Sequence, residues 1–471
     1  MLIASLLVVL AIVGLWVTAP APAATAPTVI VSITIDDGFQ SAWSIRPELR
    51  KYGMHATFYV NNGKLNQPGR LTIAQVRQLS ADGNEIGGHS VTHPNIANLD
   101  APEAKRQICN DRVALAGMLG TAPTDFAYPY GAYTPETEAI VAGCGYNSAR
   151  RVGGIASQFC GPACPDAESI PPANPYAIRT GISVVPSTAP NAPEDQVRAA
   201  LAHGGGWLVF VFHAYCDGCS GIAVNPASFD HLLSWLKSMH AKGVAVETVH
   251  QVVGGPVRPL VAGPAPRAGA VLLNPSLQTP GTGAVAPDNE RSFCWEQAAY
   301  GDNTATYTRV PDGHDGHPAD QITVSQYATG DAKVLVRQDL GTCSIPVTAG
   351  QQFTLSAWVK STAPTRLVAF YRQPSGAWTY GAGSLSVSDT ATWHKLTYTA
   401  PPVPANAVRM SFGVAVTSVG TATVDDFAMT TATPANTVAE SNRARLIAIS
   451  GMVIVAVGIV LFWFRRRATR Q

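Results

Sequence analysis

Two adjacent carboxylates, Asp36 and Asp37, directly follow the apolar run Thr28 to Ile35 and precede Gly38. Buried unpaired charge is costly, so such a pair belongs at the end of a strand rather than inside it. Open α/β sheets and barrels gather their reactive groups at the C-terminal ends of their strands. A lone Asp-Asp-Gly is more simply a solvated turn. His89 and His93, in Gly87-Gly88-His89-Ser90-Val91-Thr92-His93, change that balance. On a helical turn, residues i and i+4 share a face, so both imidazoles can reach one cation. Two neutral imidazoles and one carboxylate leave positions open for water and substrate, which is the ligand set of hydrolytic zinc or another divalent metal. His213 abruptly ends the apolar run Trp207 to Phe212, and shares a rim with Asp36 if the two strands are parallel. Phe126-Ala127-Tyr128-Pro129-Tyr130-Gly131 is an aromatic loop of restricted backbone, suited to wall a sugar-binding groove.

The segments that must hold these residues alternate between two patterns. β-Branched runs at Thr28 to Ile35, Ala56 to Val60 and Trp207 to Phe212 read as buried strands. Thr72 to Asp82 and Ala227 to Lys242 carry helical spacing, the latter through Phe229, Leu232, Leu233, Leu236 and Met239, with Gly243 as the stop. Val244 to Val249 reads as a last strand. This predicts an α/β unit over residues 27–255. A Pro/Gly-rich linker follows at 256–269. Over 270–430 helical spacing is absent, and short alternating segments such as Phe353 to Val359, Leu367 to Tyr371, His394 to Tyr398 and Val408 to Val416 predict an antiparallel β-sandwich.

In order and spacing, Thr34-Ile35-Asp36-Asp37-Gly38-Phe39, His89-Ser90-Val91-Thr92-His93, Tyr128-Pro129-Tyr130-Gly131 and the strand-ending His213 resemble the polysaccharide deacetylase family, carbohydrate esterase family 4 with its NodB homology domain. Gly53 to Val60 and Gly83 to Gly87 are similar to family members too. The likeness covers roughly Thr28 to Val253. It implies a distorted, incomplete (β/α) barrel and a divalent metal, zinc first. By position, Asp36 would be the general base, with Asp37, His89 and His93 as metal ligands. His213 would be the general acid, the Tyr130 N–H an oxyanion donor, and Tyr128, Pro129 and Tyr130 substrate contacts. Two features depart from the family pattern. Ala127 stands where many members carry an arginine that contacts the base, and there is no counterpart of the Asp-containing motif that tunes the acid histidine. Arg179 falls in about the right stretch to supply the missing positive charge near substrate.

Charge and cysteine usage bound the partners. Lysine plus arginine number 32 against 31 acidic residues, which gives no electrostatic reason for a nucleic-acid partner and suits a polysaccharide substrate. Eight cysteines suit an oxidising compartment, with 109–144, 160–164, 216–219 and 294–343 as plausible pairs. A zinc site from Cys160, Cys164, Cys216 and Cys219 is the rival reading. Residues 1–26 read as a signal peptide or N-terminal anchor. A stalk at 431–445, a membrane helix at 446–464 and a basic tail at 465–471 then place the catalytic unit outside the cell membrane.

Trp358, Tyr371, Trp378, Tyr380 and Trp393 in the β-rich part offer stacking surfaces for sugar rings, although a core role is the plainer reading of any one of them. Val424-Asp425-Asp426-Phe427 loosely resembles the last strand of jelly-roll carbohydrate-binding modules, and a spacer is the alternative role. Removal of N-acetyl groups from an N-acetylglucosamine-containing polysaccharide is the expected activity. An O-acetyl esterase acting on a xylan-type polymer and a non-catalytic glycan-binding surface protein are its rivals.

Overall fold

A computed structural model describes residues 28–157, 160, 163–281, 291–388 and 390–432. The N-terminal apolar segment, the 446–464 span and the basic tail lie outside these residues, as does the stalk beyond 432. Among the described residues no helix is long and apolar enough to cross a membrane.

The first part is built on parallel strands: β1 (Val29–Ile35), β2 (Thr57–Val60), β3 (Glu85–Gly88), β4 (Asp125–Ala127), β5 (Ser148–Gly154), β6 (Ile178–Thr180) and β7 (Gly206–Phe212). Two short strands, β8 (Ala214–Tyr215) and β9 (Ala223–Val224), form a separate pair before β10 (Val244–Val246). The path β2-β3-β4-β5-β6 leaves one edge of β1, while β7 pairs along the whole of its other edge. Main-chain bonds from Gly181 and Val184 to Val209 and Val211 bring the chain after β6 back onto β7, so the sheet curls into an incomplete (β/α) barrel. β1 is buried at all seven positions and β7 from Trp207 onward, which explains their unbroken apolar runs.

Helices α1 (Arg46–Tyr52), α2 (Ile73–Ala81), α3 (Ala101–Leu119), α4 (Pro135–Gly143), α5 (Ala192–Ala202) and α6 (Pro226–Met239) pack outside the strands. Thr72 caps α2 in a reciprocal capping box with Gln75. The run from Val244 is shorter than the sequence predicts. The strand stops at Val246, and Thr248 caps a further helix, α7 (Val249–Val253). The segment expected as a free linker is packed against α3, whose Arg112 donates to the carbonyls of Arg258 and Pro259.

The second part is an antiparallel sandwich. Its strands are β11 (Trp295–Tyr300), β12 (Asn303–Val310), β13 (Ala319–Tyr327), β14 (Asp331–Val336), β15 (Ile345–Pro346), β16 (Phe353–Ser361), β17 (Thr365–Arg372), β18 (Trp378–Gly383), β19 (Thr390–Thr399), β20 (Arg409–Val416) and β21 (Gly420–Thr431). One sheet runs β11-β14-β20-β17-β18 and the other β12-β13-β21-β16-β19. Trp295, Phe412 and Phe427 meet in the core between them. All four cysteine pairs are disulfides, including 160–164 and 216–219, so the thiolate zinc site is excluded.

The two parts share a buried polar seam. Glu103 on α3 is fully buried, accepts the Leu340 N–H at 2.7 Å and pairs with Arg106 at 2.8 Å. Burial and the nearby Asp339 push Glu103 up to about 7, although Arg106 and the Leu340 N–H pull the other way. Because this value lies above the ordinary 4.5, the contribution of Glu103 to stability is complete below that pH and is lost as pH rises through about 7. The thermal midpoint is therefore expected to fall across this window, and Glu103→Gln to flatten the fall. Melting curves across the window check this, and an equal slope in the variant would refute it.

Candidate metal centre and active site

Register places the first site residues. Ile35 lies beside Phe212 in parallel strands, so Asp36 and His213 emerge side by side at the same rim. The Asp36 N–H also bonds the Phe212 carbonyl at 2.8 Å. His213 Nε2 stands 3.9 Å from Asp36 Oδ2. Its Nδ1 is buried and has no hydrogen-bond partner among the described residues.

Asp37, His89 and His93 converge, with one ligand atom from each lying within 4.8 Å of the others. His93 Nε2 is 3.0 Å and His89 Nε2 3.6 Å from Asp37 Oδ1. The two histidines do not share a helical face. They meet because the loop after β3 folds back through left-handed conformations at Ser90 (φ 67°) and His93 (φ 65°), and Ser90 Oγ accepts the His93 N–H. Asp37 (φ 69°) and Tyr130 (φ 59°) are left-handed as well. Such backbone costs about 1–3 kcal/mol per residue and persists where surrounding structure imposes it, typically at functional sites.

What imposes it is partly visible. Asp111 on α3, fully buried, accepts the N–H groups of Asn62 and His89 at 3.1 and 3.0 Å. The Asn61 amide bonds the carbonyls of His89 and Ser90. Gly88 lets the Tyr146 hydroxyl lie against the backbone where a Cβ would collide with it. His89 Nδ1 lies 2.7 Å from the Ala127 carbonyl, which fixes the tautomer with the Nε2 lone pair facing Asp37. Burial pushes His89 down to about 3, so the imidazole is neutral at ordinary pH, the form a metal ligand needs. Asp37 Oδ1 is a buried carboxylate oxygen without a hydrogen-bond partner, facing two imidazole nitrogens. That donor set fits a divalent cation.

The positive charge expected near Asp36 comes from an unexpected strand. Arg150 on β5 makes an ion pair through Nη2 to Asp36 Oδ1, with its side chain 1% exposed and its guanidinium 4.8 Å over the Tyr59 ring. Arg179 instead binds Glu168 through Nε and Nη2 at 2.9 and 2.6 Å. The aromatic loop is divided. Tyr128 is buried, donates to the Tyr176 carbonyl and stacks on Tyr133, and Pro129 is buried too, so both shape the loop from beneath. Tyr130 is 70% exposed, and its ring meets the His93 ring edge-on at 4.7 Å. Sequence reasoning passed over Arg150 and Asp111. Their signal was there, since a charged residue in the buried start of a strand or on an inward helix face requires a buried partner.

Residues 23–149 match the family model described as polysaccharide deacetylase. A segment of 109 residues is 32% identical to peptidoglycan-N-acetylmuramic acid deacetylase of Bacillus subtilis (strain 168), covering 23% of this chain and 22% of that protein. Another of 117 residues is 30% identical to chitin deacetylase of Pestalotiopsis sp, covering 25% and 39%. A solved family 4 acetyl xylan esterase from Clostridium thermocellum aligns over 50% of this chain and all of its own, at 20% identity and a TM-score of 0.34. The chain thus spans well under half the length of these two curated relatives. The family match falls on the α/β part of the chain, which is joined to an antiparallel β-sandwich.

Proposed function

We propose that this protein is a metal-dependent hydrolase that removes N-acetyl groups from an N-acetylglucosamine-containing polysaccharide of the cell wall or extracellular space. The convergence of Asp37, His89 and His93 beside the Asp36–His213 pair carries the reading. The family match and the peptidoglycan and chitin specificities in the names of its relatives support the substrate class. Four disulfides support an oxidising, exported setting. A single span at 446–464, holding the enzyme on the outer face of the cell membrane, remains part of the proposal on the strength of the sequence alone.

Asp37, His89 and His93 would hold a divalent cation, zinc first, which would supply Lewis acidity toward the acetyl carbonyl and the attacking water. Asp36 takes the proton of that water as general base, its carboxylate held by Arg150. His213, on the adjacent strand end, donates a proton to the leaving amine, without which amide cleavage stalls. Tyr130, left-handed and exposed beside His93, offers its main-chain N–H toward the developing oxyanion and its ring to the sugar.

The test is acetate release by the soluble region, disulfides formed, from N-acetylglucosamine oligomers and from acetylated xylan. The assay is run before and after chelation and again with zinc restored. Chelation is expected to remove nearly all release from the amino sugar, and zinc to restore it. Release from xylan alone would move the reading to an ester. No release from either, with metal bound, would sink turnover and favour a glycan-binding role.

A further inference from the structure

The sandwich touches the metal loop directly. In the turn joining β17 to β18, a Cβ added at Gly376 would sit 2.5 Å from Val91 Cγ1, midway between His89 and His93 in the sequence. Leu340 and Thr342 likewise reach Glu103 and Arg106 on α3 and Asp100 at its N-cap. Interfaces between domains of one chain move by default unless something holds them. Here the buried Glu103 and Arg106 bond the Leu340 N–H and the Thr342 hydroxyl across the seam, so opening it would break hydrogen bonds of buried charged groups. The second part is therefore fixed against the first.

Between them lies a cleft of about 370 Å³, within the usual range for small-molecule sites. Pro94, Asn95 and Tyr130 line it from the barrel, and Glu296, Arg337 and Gln338 from the sandwich. Tyr130 is shared, since its ring flanks His93 and also forms part of the cleft wall. The sandwich wall is stapled by the Cys294–Cys343 disulfide and by the Arg337 N–H to the Cys294 carbonyl at 2.9 Å. Glu296 accepts the main-chain N–H of Gln338 at 3.0 Å, which fixes the carboxyl group against this wall.

We infer that this junction cleft is a binding subsite for a neutral sugar unit flanking the one that is deacetylated, so that the β-sandwich forms part of the substrate groove. The inference rests on the glycan reading of the metal centre. Its chemistry comes from the lining. The walls carry charges of both signs close to balance, the guanidiniums of Arg291 and Arg337 against the carboxyl groups of Glu103, Glu296 and Asp339, with the amides of Asn95 and Gln338 among them, and so give no strong field to select a charged sugar. Mixed donors and acceptors suit vicinal hydroxyls and acetamido groups, while the Tyr130 ring offers a face for stacking. A substrate seated there continues directly from the acetyl group held at the metal centre, so affinity rises with chain length.

Calorimetry of the zinc-loaded Asp36→Asn chain with the dimer and the pentamer of N-acetylglucosamine tests this. The pentamer is expected to bind about tenfold more tightly than the dimer, as one or two added polar contacts would give. Gln338→Ala and Arg337→Gln, each on that background, are expected to reduce this advantage to about twofold or less. Gln338 is the milder change and guards against misfolding in the Arg337 variant. Lys360→Ala, exposed on the other sheet, is expected to keep the advantage. A length advantage that survives in both cleft variants, or a pentamer that binds no more tightly than the dimer, overturns the inference. Length-dependent binding by a wild-type chain that releases no acetate would sink the deacetylase reading and leave the cleft assignment standing. Acetate release without length-dependent binding would do the reverse.

Discussion

Asp36→Asn is expected to lower kcat by about 10²–10⁴-fold, the usual contribution of a positioned general base, while divalent metal still binds. The reason is a division of labour between neighbouring carboxylates. Asp37 turns through a left-handed backbone toward the two imidazoles, whereas Asp36 faces Arg150 and His213. Asparagine has nearly the shape of aspartate and can still meet Arg150 through its carbonyl oxygen, but it cannot take a proton from water. His89→Ala is the contrasting change, because it removes a ligand and should lose metal and activity together. The check is kcat on N-acetylglucosamine oligomers beside metal content per chain after dialysis. An Asp36→Asn protein within about tenfold of wild-type activity would remove Asp36 from the role of base. One that loses its metal as well would move Asp36 into the ligand set.

How far these roles are legible beforehand depends on the range of the contacts involved. The strand-ending positions of Asp36 and His213 follow from burial of the runs that precede them, since a wholly apolar strand must surrender its polar residues at its end. The pairing of the two strands is not local, yet the parallel register Ile35 to Phe212 is what that pattern calls for. The histidine pair is a different case. Spacing of four brings His89 and His93 together, but the helical turn that spacing suggests is replaced by a loop that Ser90, Asn61 and Asp111 hold in place. Those supports come from elements distant in sequence. The same holds for Tyr128, whose aromatic ring in a motif loop reads as a sugar contact and is in fact part of the core. Docking of the sandwich is the least legible feature, because side chains such as Glu103 and Thr342 reach across two chain segments more than 200 residues apart.

Arg150 shows what such long-range contacts are worth, and Arg150→Met is expected to be the most damaging single change away from the metal ligands. It removes a guanidinium that is 1% exposed and leaves Asp36 buried without its partner, a loss of about 3–5 kcal/mol for a broken buried pair. For a unit of this size that corresponds to a drop in thermal midpoint on the order of 10 °C. Activity should fall too, since the base loses the contact that orients its carboxylate. Arg150→Lys keeps the charge but not the planar fork, and should recover part of both losses. The decisive comparison is the double variant. With Asp36 already changed to asparagine there is no buried carboxylate to strand, so Arg150→Met should cost at least about 1–2 kcal/mol less than it does in the wild type. Thermal or urea unfolding of the four proteins measures that coupling directly. Equal costs in the two backgrounds would mean that Arg150 acts only by packing over Tyr59, and the arginine expected beside the base would then have no counterpart in this chain. Arg179→Met should show no coupling to Asp36 in the same cycle, because its guanidinium is committed to Glu168. Arg150 meets Asp36 from the strand next to the one that carries Ala127. This follows from geometry, since β5 lies beside β4 with Arg150 opposite Ala127 in the register.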